Sequence, residues 1–251
     1  MKEKNAHAGS WLQLAGRKAN PTSAPKYRDA GRSSESRRRI MNRVSPARLN
    51  AGWENDVDPE GRSTMAHDWL ALQVRVHDEF SRRLAEVGAD HWDDPTPDVE
   101  WTVRDLVAHV VEEQRWVPQL LGGRTVAQAK LELEPVRDDL AAEWALYSLA
   151  ATSAWAATPR DKLVHLSDDT VTTEDYLREL VSDIAIHTWD LARAIGADEE
   201  LDADLVEAVW SVFEPQQETL AASGLFAPPV PIPDDAPLQS RLLAITGRDP
   251  R

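Results

Sequence analysis

A chain of 251 residues, 42% hydrophobic and 28% charged, suits a globular protein of one ordinary domain with extensions, and no apolar run in it is long enough to span a bilayer. The net charge of −15 is unevenly spread: residues 1–64 hold 13 Lys and Arg against 7 Asp and Glu, and the remainder holds 15 against 36, an acidic body that disfavours a nucleic-acid partner. With no cysteine, disulfides, thiolate ligands and a cysteine nucleophile are excluded, and any metal must be held by His, Asp or Glu.

Residues 1–64 are rich in Ser, Pro, Arg and Asn, include the cluster Arg37, Arg38 and Arg39, and show no sustained apolar period. This is the composition of a disordered basic tail. An Arg- and Ser-rich arm also suits a targeting segment, and the abrupt change at Met65 equally suits a translation start there. No apolar secretory segment is present, so a soluble cytoplasmic protein with no membrane partner is expected.

Residues 65–251 read as one all-α domain. Trp69, Leu72, Val76, Phe80, Leu84 and Val87 recur at helical spacing and predict a first helix over 66–87, stopped by Gly88. Pro95 and Pro97 hold the next segment out of helix. Thr102 with Asp105 three residues on is a relative of the capping box and opens a second helix, which Gly122 and Gly123 close. A third helix is expected over 136–157, begun by Pro135 and ended before Pro159. Leu163–Leu166 and Thr170–Thr172 are short extended pieces that suit either a hairpin or a loop. Thr173 should cap a fourth helix that ends at Gly196, a fifth should span 203–222, and Leu238–Thr246 a final short one.

The fourth helix carries the most informative spacing. Leu177, Leu180, Val181, Ile184, Leu191 and Ile195 form its apolar stripe, and Asp183 and His187 stack one turn apart at the stripe's border. The second helix repeats the arrangement: beside its stripe of Val103, Leu106, Val107, Val110, Val117 and Leu121, His109 and Glu113 take matching flank positions. Two such helices can turn their pairs toward each other across a bundle and build a metal site. On spacing alone such pairs are more often surface ion pairs than metal ligands.

Three stretches taken together are familiar. They are Pro95-Thr96-Pro97 followed by Glu100-Trp101-Thr102-Val103-Arg104-Asp105-Leu106-Val107-Ala108-His109, then Asp183 to His187 with Trp189-Asp190-Leu191-Ala192-Arg193-Ala194, and the closing Arg241-Leu242-Leu243-Ala244 with Gly247-Arg248-Asp249-Pro250. They resemble the actinobacterial DinB-like metal-binding proteins related to mycothiol-dependent maleylpyruvate isomerase, over about residues 66–250. The resemblance implies a DinB-like four-helix bundle, here with additional C-terminal helices, and a divalent ion, usually zinc or nickel. His109 matches the ligand of the W-T-V-x-D-L-x-x-H motif, His187 the second histidine, and Asp183 the acidic position before it. The isomerase of that family carries a larger C-terminal domain that helps to bind the thiol, whereas only residues 197–251 follow the fourth helix here.

Two functions from different classes are compatible with this reading. As an enzyme, the protein would use the ion to lower the pKa of a low-molecular-weight thiol such as mycothiol for transfer to, or isomerisation of, a small-molecule substrate. Glu113, one turn from His109, would be the general base or would orient the ligands. As a non-catalytic protein it would bind or sense the metal. Trp116 and Trp189 read as packing residues, and Asp190 and Arg193 as ion-pairing with neighbours. His67, His77, His91 and His165 read as ordinary histidines, and nothing in the sequence fixes an oligomeric state. Because residues 1–64 offer no apolar face to bury, their deletion is expected to leave helix content, thermal midpoint and metal uptake unchanged, as circular dichroism and metal analysis of the truncated protein would show.

Overall fold

Each long helix begins where a side-chain oxygen can accept from otherwise free N–H groups, a contribution of about 1 kcal/mol apiece. In the computed structural model, which describes residues 67–98, 101–166, 170–223 and 226–251, Asp68 caps α1 (Trp69–Ala85) and Thr102 caps α2 (Val103–Leu121) in a full capping box with Asp105. Thr125 and Gln128 form a second box at α3 (Val126–Lys130), Asp139 caps α4 (Leu140–Ala157), and Thr172 caps α5 (Thr173–Ile195). Asp202 caps α6 (Ala203–Phe213), and α7 (Gln217–Ser223) and α8 (Leu238–Ile245) follow. The expected tail, residues 1–64, lies outside the described residues.

Several boundaries differ from the sequence reading, each for a local reason. Pro135 does not begin α4: Arg137 bonds Glu143 through both its backbone N–H and its Nε, and the helix waits for the Asp139 cap. The cap of α5 is Thr172, whose oxygen accepts from Asp175 N, and Thr173 is already helical. The helix expected over 203–222 is broken, because Pro215 lacks an N–H and the chain tightens into a 3₁₀ turn over Glu214–Gln216. The α3 turn was not expected, although its T-x-x-Q box is visible in the sequence. Leu163–His165 (β1) and Thr170–Thr172 (β2) do pair as an antiparallel hairpin, with Val164 opposite Val171.

The four long helices form the DinB-like bundle, with α1 packed on α5, α2 on α4, and lesser contacts between α2 and α5 and between α1 and α4. Val76, Phe80, Leu106, Val107, Val110, Leu177, Ile184 and Leu191 are buried between them. The helix α6 packs on both α5 and α8. Consequently α5 is enclosed on nearly every side: between Leu180 and Ala192 only Asp183 keeps intermediate exposure. No helix among the described residues is long and apolar enough to cross a membrane.

A neutral polar layer crosses the bundle between α1, α2 and α4. His77 Nε2–H donates to Gln114 Oε1 (3.1 Å), while the Gln73 amide donates to His77 Nδ1 (3.0 Å) and to Thr152 Oγ1 (2.9 Å). These partners fix one neutral tautomer of His77. Burial, opposed only by the Gln114 bond, lowers its pKa from 6.5 to about 4. Below pH 6.5 the unfolded chain takes up a proton that the folded protein refuses, so this contribution to stability is lost as pH falls from 6.5 toward 4. Glu113, whose pKa is raised from 4.5 to about 7, works in the opposite sense within that window. The informative quantity is therefore the difference between the parent and His77→Gln. Relative to His77→Gln, the parent is expected to lose about 3 kcal/mol between pH 6.5 and 4, measured by denaturant unfolding.

Candidate metal centre

Along α5 the spacing of four puts Asp183 and His187 on one side of the helix, and the packing of α2 brings His109 to meet them. His109 Nε2 lies 3.3 Å from Asp183 Oδ2, and His187 Nε2 lies 3.4 Å from Asp183 Oδ1. One ligand atom from each of the three falls within 4.8 Å of the others. Both His109 Nε2 and Asp183 Oδ2 are buried, yet neither has an aligned hydrogen-bond partner among the described residues. Buried polar atoms whose hydrogen bonds are poorly aligned are costly. Two imidazole nitrogens and a carboxylate turned toward one point form a donor set that fits zinc or nickel.

The electrostatics follow from the same arrangement. Burial would raise the Asp183 carboxyl, but His187 and His109 outweigh it and hold the group well below the usual carboxylate range. Burial would likewise strip the proton from His187, but Asp183 and then Asp190 raise its pKa well above the ordinary histidine value. Glu113 is buried in the same seam but does not join the group of three. Its pKa rises to about 7, chiefly through burial; the field of His109 opposes the rise, and those of Asp183, Glu112 and Glu179 add to it. The cluster lies near an edge: the side chains of His109 and Asp183 remain 14% and 18% exposed, against 4% for His187.

Two participants were not legible from spacing. Trp101 packs its ring against both imidazoles, with centroids 4.8 Å from His109 and 5.4 Å from His187, and so walls the site on one side. Its position eight residues before His109 in the motif was the available hint. Asp190 does make ion pairs, as read, but its partners are His187 on its own helix (3.1 Å) and Arg248 (2.8 Å) far along the chain. Arg193 pairs with Glu199 and lies over the Trp189 ring. Trp116 and Trp189 are buried packing residues.

The His-Asp-His cluster thus lies between the second helix of the bundle and the long helix that follows the hairpin. Residues 74–192 match the family described as the mycothiol maleylpyruvate isomerase N-terminal domain. Two uncharacterised proteins of Mycobacterium tuberculosis, Rv0738 of strain H37Rv and MT0763 of strain CDC 1551, are each 30% identical over 188 residues, spanning 73% of this chain and 100% of theirs. A crystal structure of a histidine-to-alanine mutant of mycothiol-dependent maleylpyruvate isomerase superposes with a TM-score of 0.47 at 19% identity, covering 61% of this chain and 68% of that one. The chain belongs to the DinB-like family related to mycothiol-dependent maleylpyruvate isomerase.

In the metal-free protein, His187 is expected to keep both ring protons through pH 7, and Asp183→Asn to bring its titration down toward the ordinary range. Imidazole nitrogen NMR across pH 5–10 would show this, and a singly protonated parent ring at pH 7 would contradict it.

Proposed function

We propose that this protein binds a divalent ion, zinc or nickel, through His109, Asp183 and His187, and that it is a metal-dependent enzyme acting with a low-molecular-weight thiol of the mycothiol type in a transfer or isomerisation. The observation that carries the reading is the convergence of three donors, with His109 Nε2 and Asp183 Oδ2 buried 3.3 Å apart without an aligned hydrogen bond between them. Three protein donors are the number found at open, catalytic zinc positions, whereas structural sites use four. The ion would supply Lewis-acid chemistry, lowering the pKa of a thiol in its reach. The thiol itself is suggested by the family match.

The remaining roles belong to the chain's own side chains. Asp190 accepts the His187 Nδ1–H, which leaves Nε2 as the ring's donor atom. Trp101 shields one side of both imidazoles from water. Glu113 is the general base, since a carboxyl group near 7 can both take and return a proton at neutral pH. The exposed edges of His109 and Asp183 give the small molecules their approach.

Metal analysis of protein purified without a His tag, followed by titration with mycothiol-like thiols, tests the reading. The parent is expected to hold about one ion per chain, and His187→Ala to lose most of it while remaining helical, because the apolar stripes hold the bundle. Glu113→Gln is expected to keep the ion and slow thiol-dependent turnover. If Glu113→Gln loses as much metal as His187→Ala, Glu113 is a fourth ligand and a non-catalytic metal-binding protein is the better reading.

A further inference from the structure

The His187 ring is held by more than its own helix. One Asp190 oxygen accepts both the His187 Nδ1–H, at 3.1 Å, and Arg248 Nη2, at 2.8 Å; the other accepts from Arg248 Nε, at 3.2 Å. Asp190 is 0% exposed and Arg248 7%. The guanidinium also donates from Nη1 to the Thr246 carbonyl at 2.9 Å, and its Nη2 lies 3.5 Å from the Asp98 carboxylate. Asp98 stands in the segment leading into α2, which carries His109. One side chain therefore ties together α5 and the approach to α2, the two elements that supply the donors.

Arg248 reaches this position through a tight turn at Gly247. Gly247 has φ of +77°, and a Cβ placed on it would stand 2.5 Å from the Ala227 carbonyl oxygen, so both the conformation and the space require glycine. The bonds Gly247 N to Ala244 O and Arg248 N to Leu243 O then close the chain over the end of α8 and point the arginine inward.

Stability alone does not account for such a pair. Burying an aspartate and an arginine is costly, and well-packed apolar residues of similar volume do the same packing without that cost. What a bidentate pair adds is direction: the planar fork fixes both carboxylate oxygens, which an ammonium or an apolar group does not. A carboxylate fixed in this way sets the plane and tautomer of the imidazole that donates to it.

We propose that Arg248 and Asp190 are positioning residues of the metal centre, and that the turn at Gly247-Arg248 sets the direction in which His187 Nε2 faces Asp183 and His109. The inference rests on the metal reading of the site. It assigns to the segment after α8 a part in the centre that no ligand motif on α2 or α5 reveals.

The test is metal affinity and ligand-field spectroscopy in full-length protein. Zinc affinity, measured by competition with a chromophoric chelator, is expected to fall roughly 10- to 100-fold in Arg248→Met. The visible absorption of the cobalt-loaded protein is expected to change in shape, because one donor changes direction. Arg248→Lys, which keeps the charge and loses the fork, is expected to recover only part of the affinity. Since Arg248→Met leaves the buried Asp190 carboxylate without its guanidinium and can unfold the bundle, the double variant Asp190→Leu/Arg248→Met removes both charges together and is expected to fold and show the same loss. Thermal unfolding of each metal-free variant separates affinity from stability. Double-variant zinc affinity within about twofold of the parent, with an unchanged cobalt spectrum, overturns the positioning role and leaves the metal reading standing. A parent that takes up neither zinc nor cobalt overturns both.

Discussion

Asp183, His187 and Asp190 lie on a helix that is buried on nearly all sides, and the rest of the structure is arranged to make that tolerable. A carboxylate withdrawn from water without a partner either takes up a proton or destabilises the fold. Here Asp183 is met by two imidazoles and Asp190 by an imidazole and a guanidinium. His187 stands on the same helix, and the other partners come from outside it: His109 from α2 and Arg248 from the turn after α8. The apolar stripes determine that the helices pack, and the charges on α5 determine what must face them.

The second helix serves two polar layers of opposite character. Gln114 points toward α1 and α4, where it holds a neutral His77 within a sealed network of amides and a hydroxyl. One residue earlier, Glu113 turns into the seam with α5, in the same field as His109 and Asp183. The first layer keeps its histidine uncharged by burial; the second keeps its histidine charged, when metal-free, through neighbouring carboxylates. The difference follows from what faces each ring, since both are buried. It also separates a part of the bundle that resists protonation from a part whose histidine holds its proton firmly.

Much of the fold could be read from periodicity, because the stripes of α1, α2 and α5 are long and the capping box of α2 is explicit. The start of α4 could not, since the Arg137 to Glu143 bonds that delay it depend on a side-chain geometry that spacing does not encode. The break at Pro215 was available in the sequence but was outweighed by the apolar period on either side of it. At the site, helical spacing put His109, Glu113, Asp183 and His187 on predictable flanks, and the motif resemblance then pointed to His109, Asp183 and His187. Trp101 lies just outside its helix, where no periodicity applies, and Arg248 reaches Asp190 only through a tertiary turn. Asp190 was read as ion-paired with neighbours, but an i, i+3 pair to a histidine and a partner 58 residues away demand opposite explanations, and sequence alone favours the local one.

The separation of Asp190 from Arg248 also gives the protein a history during synthesis. A ribosome adding roughly 5–20 residues each second makes Asp190 several seconds before its guanidinium partner. Helices joined by short connections collapse far faster than that. The helices thus have time to pack while Asp190 has, of its two partners among the described residues, only the imidazole one turn before it. The pair of Asp190 with Arg248 therefore forms only after the residues of all four long helices have been made.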